Sequence, residues 1–491
     1  MLLVSGFAAL VAGCDGGEDA RTAELVNVLA GADEALIRTR PELCAGKYQR
    51  MAGDPYSFFR GSLALWLHDL RLDTEGAARS AYALDGPLPL ALGDPHPENF
   101  GTLEAGDGTL ALEPNDFDAA DRAPYLNDVR RLTVGLALAA RLSNPDDAEA
   151  AAAASAAAGE IARSAAASYA TEIAAFAGGG ARPRYDASGG GAFIEDLFDR
   201  AEEDLESREE LEELTEVEAG ARRLRRGVLD DAEPTAGLAD LPGAALQALP
   251  QALRDYRLTL LAPPEPAYFT LVDAARDFGS GVASWPRVRA LILVRGESDA
   301  VEDDVVLEIK ELPDSGVAGL YPPGVHADSP EARVLATSRG AWARPDGERL
   351  WGTTRWLGLP AQVRREAEAH KTVRLDRMED AEGTPQALTA LATRLGALLA
   401  RVHASPFEGD GDTGAAAAIA ERIGAGGAAF AAEQAELSVR YAALVVADWE
   451  RFGAALADLG PLLGVEVEPG DVPSPDLQAL LGTPFLAPEG P

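Results

Sequence analysis

Apolar residues recur along this chain with two distinct periods. Over residues 47–70, KYQRMAGDPYSFFRGSLALWLHDL, they return every three to four positions, the spacing of amphipathic helices. The same period runs through 126–142 (LNDVRRLTVGLALAARL), 386–404 (ALTALATRLGALLARVHAS) and 414–458. Residues 15–45 read as a tether leading into a first helix. The Ala-rich and Glu-rich text of 146–226 predicts helix through propensity. Elsewhere the apolar runs are short. LPLAL and TLALEP flank the polar texts GDPHPENFG and NDFD, which predicts strands with polar loops at their ends. VRALILV (288–294) and VVLEIKEL (305–312), joined by GESDAVEDD, predict a β-hairpin, and a further strand is expected around 371–376. The Pro/Gly-rich end, 461–491, predicts a loose tail.

These elements define an α+β chain, mostly helical, with a small antiparallel sheet lobe. The expected divisions are a leader-like segment at 1–14, the tether and first helix at 15–45, a helical lobe at 46–248, a β-rich segment at 249–382, returning helices at 383–460, and the tail. The length of 491 residues allows two or three packed domains, and 47% hydrophobic residues mark a globular protein. The formal net charge of -37 repels phosphate backbones, which argues against nucleic acid as a partner and against docking on anionic lipid.

One spacing carries chemistry. Gly93-Asp94-Pro95-His96-Pro97-Glu98-Asn99 is followed by Asn115-Asp116-Phe117-Asp118. Phosphoryl transfer to a hydroxyl needs an Asp to accept the proton, an Asn five residues on to bind a metal, and a second Asp to bind the metal that bridges the nucleotide phosphates. Asp94, Asn99 and Asp116 have that spacing, and Asp118 stands where protein kinases have Gly. The implied cofactors are ATP and Mg²⁺, with Asn99 and Asp116 as metal ligands.

The loop resembles that of aminoglycoside and choline phosphotransferases, H-G-D-x-H-P-x-N. Gly93, Asp94, His96, Pro97 and Asn99 match, and Leu92 replaces the first His. That resemblance implies that Asp128, in NDVRRL, braces the catalytic loop and that His96 is a structural support. A closer resemblance is to domain-of-unknown-function family 2252. It rests on KYQRMAGDPYSFFRG, GDPHPENFG, NDFD, NDVRRL, LTEVEAGARRL (214–224) and LARVHA (399–404), and covers roughly residues 45–455. It implies a protein-kinase-like two-lobe fold.

Residues that would hold the nucleotide follow in the second half. Gly279-Ser280-Gly281-Val282-Ala283-Ser284 resembles the glycine-rich phosphate loop, with Gly279 and Gly281 as its glycines. Leu307-Glu308-Ile309-Lys310 resembles the kinase strand V-A-I-K, so Lys310 is the expected phosphate contact. The glutamate that should hold this lysine is replaced by Ala336, and Glu331 is the nearest substitute. The catalytic loop precedes the glycine loop and lysine, the reverse of the kinase order, which implies a circular permutation with His403 packing behind the catalytic loop. Arg60, in FFRG, reads as a structural ion pair, with a phosphoryl contact as the alternative.

Four functions are open at this point. The first is phosphoryl transfer from ATP to an unknown small-molecule or protein hydroxyl. The second is nucleotide or ligand binding on a degenerate kinase fold, and the third is nucleotidyl transfer on the same fold. A metal-dependent hydrolase built on Asp94, His96, Asp116 and Asp118 is the fourth. Val11-Ala12-Gly13-Cys14, closing a short apolar run, resembles a lipoprotein lipobox. A lipid anchor at Cys14 would place the protein at the cell envelope; the alternative is the cytoplasm.

Overall fold

Helix formation begins with caps and apolar stripes. Asp54 starts Pro55–Gly61: its carboxylate accepts the N–H groups of Tyr56 and Ser57, and Pro occupies the first turn where no donor is needed. Tyr125–Leu142 is buried on nearly every side and forms the axis of a helical body. Around it pack Ala148–Ala177, Thr384–His403 and the long helix Gly427–Leu459. Small residues decide how close these helices come. A Cβ on Gly396 would stand 2.1 Å from the Ala165 carbonyl oxygen, so two backbones touch there and only glycine fits. The computed structural model describes residues 18–143, 148–228, 236–279, 281–315, 329–375, 384–405, 414–467 and 480–481, and Cys14 lies outside them.

The second body is a seven-stranded antiparallel sheet. Its order across the sheet is Gly352–Trp356, Leu359–Arg365, Val305–Glu311, Arg289–Val294, Leu271–Phe278, Gly237–Asp240 and Gly227–Val228. The expected hairpin is present, with Ile292 opposite Leu307. Ala290, Ile292, Leu307, Ile309, Ala361 and Val363 form one apolar face, packed against Ala245, Leu249 and Tyr256 of the helix Gly243–Arg257. Helix Pro330–Ala341 lies against the two strands at one edge.

Several expectations are corrected. The sheet takes strands from before residue 249, so the β-rich body begins earlier than its composition suggested. Within 146–226, the last part is a hairpin, Thr215–Glu218 with Ala221–Leu224, turned by Ala219 and Gly220 at φ 51° and 83°. Leu224 packs there against Leu238 and Leu291, and tertiary burial overrides the helix propensity of Glu and Ala. Of the strand expected near 371–376, the described residues 371–375 form one bridge, Gly101 with Thr372, and residue 376 lies outside the described residues. In the tail, Leu480 and Leu481 are buried in the core under the sheet, and Arg276 Nε donates to the Leu480 carbonyl at 3.2 Å. Those two residues are packed, while 468–479 and 482–491 lie outside the described residues.

Charged side chains join the two bodies. Arg40, between the helices Glu18–Thr39 and Pro41–Gly53, donates to Glu311 Oε1 at 2.9 Å and to the Pro286 carbonyl at 2.8 Å. Both Arg40 and Glu311 are buried. Removing one partner of such a pair leaves the other charge uncompensated. Glu311→Ala should therefore lower unfolding free energy by about 3 kcal/mol, read from urea denaturation. A loss near zero would mean that the pair does not fasten the bodies together.

Candidate functional site

The loop that carries Asp94 is held from behind by hydrogen bonds to one acid. Leu90–Ala91 pairs with Asp121–Arg122, and the chain then turns at Gly93, whose φ is +80°. A Cβ there would lie 2.3 Å from the Ala119 carbonyl oxygen, so glycine is required on two counts. Asp128, wholly buried, accepts the N–H of Leu92 at 2.6 Å and of Gly93 at 3.0 Å. His403 Nε2 lies 3.3 Å from the same carboxylate, and Nδ1 lies 2.8 Å from the Tyr169 hydroxyl. The brace expected at Asp128 and the packing expected of His403 are thus one assembly behind the loop.

Asp94 projects from this loop into the cleft. Arg131 Nε holds its Oδ1 at 2.6 Å. Burial raises the affinity of Asp94 for a proton, opposed by the Arg131 charge. Asn99 donates its side-chain NH₂ to the Asp94 carbonyl at 2.8 Å, so its carboxamide oxygen is the atom left to serve as a ligand. His96 is buried, with Nε2 4.0 Å from Asp94 Oδ2 and Nδ1 without a hydrogen-bond partner among the described residues. Burial, with Arg60 and Arg131 nearby, holds it well below its usual pKa, so His96 is neutral. Arg60 pairs with Glu98 at 2.7 Å and lines the cleft.

Strand Phe100–Glu104 pairs with Leu110–Pro114, and the second strand delivers the acidic loop. Asp116 Oδ1 accepts the N–H of Asp118 at 2.9 Å. Lys310 Nζ lies 2.6 Å from Asp118 Oδ2 and 3.7 Å from Asp116 Oδ2. Burial pushes the Asp116 carboxyl up, yet Lys310, the Asp118 N–H and two arginines bring it below its ordinary value. Burial and the Asp116 charge push Asp118 up. Phe117 is buried edge-on against Trp342 and Trp351. Arg333 donates to the carbonyls of Phe117, Ala120, Asp118 and Pro313 and so fixes the loop to the helix Pro330–Ala341.

These groups share a cleft of about 640 Å³. Asp94, Asn99, Asp116, Asp118, Gly281 and Lys310 all line it, although they come from distant parts of the chain. Gly281 has φ +77° and Gly279 has φ +100°. Gly279 packs against Ala236 and is not among the lining residues, while Ser280 lies outside the described residues. Arg50 stacks over Trp285 at 4.0 Å and donates to the Gly281 carbonyl, which seats the glycine turn on an N-terminal helix. One expectation fails. Glu331 does not hold Lys310: it pairs with Arg355 at 2.5 Å and accepts from Ser329, and Asp118 has the lysine instead. Sequence reading also missed Arg131 and Arg333, although Arg131 was legible as the residue one helical turn beyond Asp128.

Among the described residues, no group of three or more His, Cys, Asp and Glu side chains is placed to hold a metal ion. Asn99 and Asp116 nevertheless suit Mg²⁺, which commonly takes one or two protein oxygens and completes its shell with phosphate and water.

Residues 38–455 match the family described as "Uncharacterized protein conserved in bacteria (DUF2252)". The match covers most of the chain, which therefore belongs to that family. No curated protein and no solved structure matches it significantly.

The buried neutral His96 makes stability depend on pH. In the unfolded chain a histidine takes up a proton below about pH 6.5. In the folded chain this one does so only at much lower pH, so it adds stability that is full above pH 6.5 and lost as the pH falls below it. His96→Asn should flatten the fall in unfolding free energy between pH 7.5 and 5.5 by up to about 1.4 kcal/mol per pH unit below 6.5. Equal slopes for variant and parent would mean that His96 takes up its proton over the same pH range in the folded and the unfolded chain.

Proposed function

We propose that the cleft binds a nucleoside triphosphate with Mg²⁺ and transfers a phosphoryl group to a hydroxyl acceptor. The observation that carries this reading is the convergence of Asp94, Asn99, Asp116 and Lys310 on one cleft. Each matches a part that phosphoryl transfer requires: a proton acceptor, two metal ligands and a cation for the phosphates.

The order of elements around Lys310 supports a kinase-like sheet lobe. In protein kinases a glycine-rich turn precedes a strand whose successor bears the lysine, and a helix follows. Here Leu271–Phe278, the glycine turn, Arg289–Val294, Val305–Glu311 with Lys310, and Pro330–Ala341 follow in that order. The catalytic loop stands N-terminal to all of them, as a circular permutation would leave it. On this reading Asp94 accepts the hydroxyl proton, its Oδ2 being the oxygen that Arg131 Nε does not hold. Lys310 holds donor phosphates. Asn99 and Asp116 would hold Mg²⁺, whose positive charge would offset that of the phosphates.

A binding protein without turnover is the second reading. The pairing of Glu331 with Arg355 favours it, because the kinase lysine–glutamate pair is missing.

The test is a thermal titration of the protein with ATP and Mg²⁺. Saturation at a hundred times Kd should add about 2.7 kcal/mol to stability, dependent on both components. Asp116→Ala and Lys310→Ala should abolish the shift. Asp94→Asn should keep the shift and lose turnover. A parent with no metal-dependent shift, or an Asp94→Asn variant with full turnover, removes the proposal. Stabilisation without turnover in the parent selects the binding reading.

A further inference from the structure

Lys310 takes its acid from outside the sheet. Arg289 lies opposite Lys310, and Arg364 opposite Glu308. Side chains alternate along a strand, so these four share one face. The sheet's own acid on that face is occupied: Glu308 Oε2 lies 3.1 Å from Arg289 Nη1 and 3.4 Å from Arg364 Nη2. Among the described residues, the carboxylates that Lys310 Nζ reaches are on the acidic loop. Asp118 is the nearer, at 2.6 Å against 3.7 Å for Asp116.

The helix after the lysine strand supplies no acid to it. On Pro330–Ala341, Ala336 is buried and Glu331 is held by Arg355. What this helix supplies is Arg333, which is 1% exposed. Its guanidinium donates to the Asp118 carbonyl at 2.9 Å, and to those of Phe117 and Ala120 at 3.2 and 2.6 Å. It also donates to the Pro313 carbonyl at 3.0 Å, three residues beyond Lys310. One side chain therefore fixes the backbone of the aspartate and the end of the strand that carries the lysine. The Asp118 N–H is held as well, by Asp116 Oδ1 at 2.9 Å. Among the described residues, the Asp118 carboxylate meets Lys310 through Oδ2, and its Oδ1 is buried without a hydrogen-bond partner. An ammonium group has three donors. Asp118 takes one, which leaves two for phosphate oxygens in the cleft that both residues line. A lysine stem is flexible, and an acid that holds it before the ligand arrives lowers the ordering cost of binding.

We propose that Asp118 positions Lys310 for the donor phosphates in place of the glutamate this helix lacks, and that helix Pro330–Ala341 sets the pair through Arg333. The proposal rests on the phosphoryl-transfer reading above. It makes Asp118 a positioning residue that acts through the lysine rather than through the metal. The kinase lysine–glutamate pair then has a counterpart here, drawn from the acidic loop, and the helix keeps its hold on the lysine by an indirect route.

Calorimetric titration tests this in the parent, Asp118→Ala and Asp118→Glu, beside the unfolding free energy of each. At saturating Mg²⁺, Asp118→Ala should weaken ATP by at least about tenfold, the loss of one hydrogen bond to a charged group. At saturating ATP, its half-saturating Mg²⁺ concentration should stay that of the parent. Asp118→Glu, which keeps the acid, should recover most of the lost affinity. A raised Mg²⁺ requirement, with ATP affinity restored by excess Mg²⁺, makes Asp118 a metal ligand and overturns the inference. Tighter ATP binding by Asp118→Ala would mean that the carboxylate only repels phosphate, and unchanged affinity that the pair serves the fold alone; either result overturns it too. Arg333→Gln tests the indirect route. It should weaken ATP although Arg333 is not among the residues lining the cleft, and add no further loss to Asp118→Ala. Fully additive losses overturn that route. If Arg333→Gln does not fold, the Asp118 series decides alone. A parent that binds no ATP removes the underlying nucleotide reading instead.

Discussion

The site depends on one buried carboxylate. Asp128 has no exposure to solvent, and an acid so placed is tolerable only when donors surround it. It accepts two successive backbone N–H groups at Leu92 and Gly93 and faces His403 Nε2. With Nε2–H donating to Asp128, His403 Nδ1 accepts from the Tyr169 hydroxyl. Four segments thus meet at one group: the loop that carries Asp94 and the helices Tyr125–Leu142, Ala148–Ala177 and Thr384–His403. The loop's geometry is set from behind, by the helical body. Arg131, one turn further along the same helix as Asp128, reaches Asp94 itself. The same element therefore orients the loop and restrains its carboxylate.

Arg333 performs the equivalent task for the acidic loop, from the other body. It takes four backbone carbonyls, which would otherwise be buried acceptors seeking donors. Because it sits on helix Pro330–Ala341, which lies against the sheet, any shift of the sheet body would pull on the loop that carries Asp116. Arg40 and Glu311 fasten the bodies at a second point. The two bodies are coupled by these polar contacts and by apolar packing as well: Val334, Trp342 and Trp351 share a core with the helical body, and Leu43 packs with Phe278 and Trp285.

Much of this was legible in the sequence, and for identifiable reasons. The Asp94–Asn99 spacing and the text of residues 115–118 are local, so their clustering needed only a loop and a hairpin. Helices 126–142 and 386–404 have long apolar periods that survive any context. The sheet hairpin at 289–311 is a pair of apolar runs around an acidic turn. What escaped were properties set by contacts distant in sequence. The hairpin at 215–224 is rich in helix formers and becomes strand because Leu224 is buried on the sheet. Glu331 lay at a plausible spacing from Lys310, but Arg355 competes for it and Asp118 reaches the lysine first. Leu480 and Leu481 sit in Pro/Gly-rich text and yet are buried.

The charged sheet face shows why composition alone misleads about this site. The chain as a whole carries a formal charge of -37, which would repel a polyanion. Yet the sheet side chains that line the cleft are Arg289, Lys310, Arg364 and the neutral Gln362, with the countercharge of Glu308 set behind them. Interactions in such a sheltered place are screened far less than those at the acidic exterior. Replacing these residues by apolar ones of similar size would relieve the desolvation of several ionised groups, and buried ion clusters are often less stable than apolar substitutes. The apolar continuation of the same face, at Leu291, Leu293 and Val306, shows that the fold accommodates such residues there. The charge is therefore not something the sheet needs in order to form. It is concentrated where three strands meet the cleft, beside the two acids that Lys310 bridges, where the proposed nucleoside triphosphate would place its phosphates.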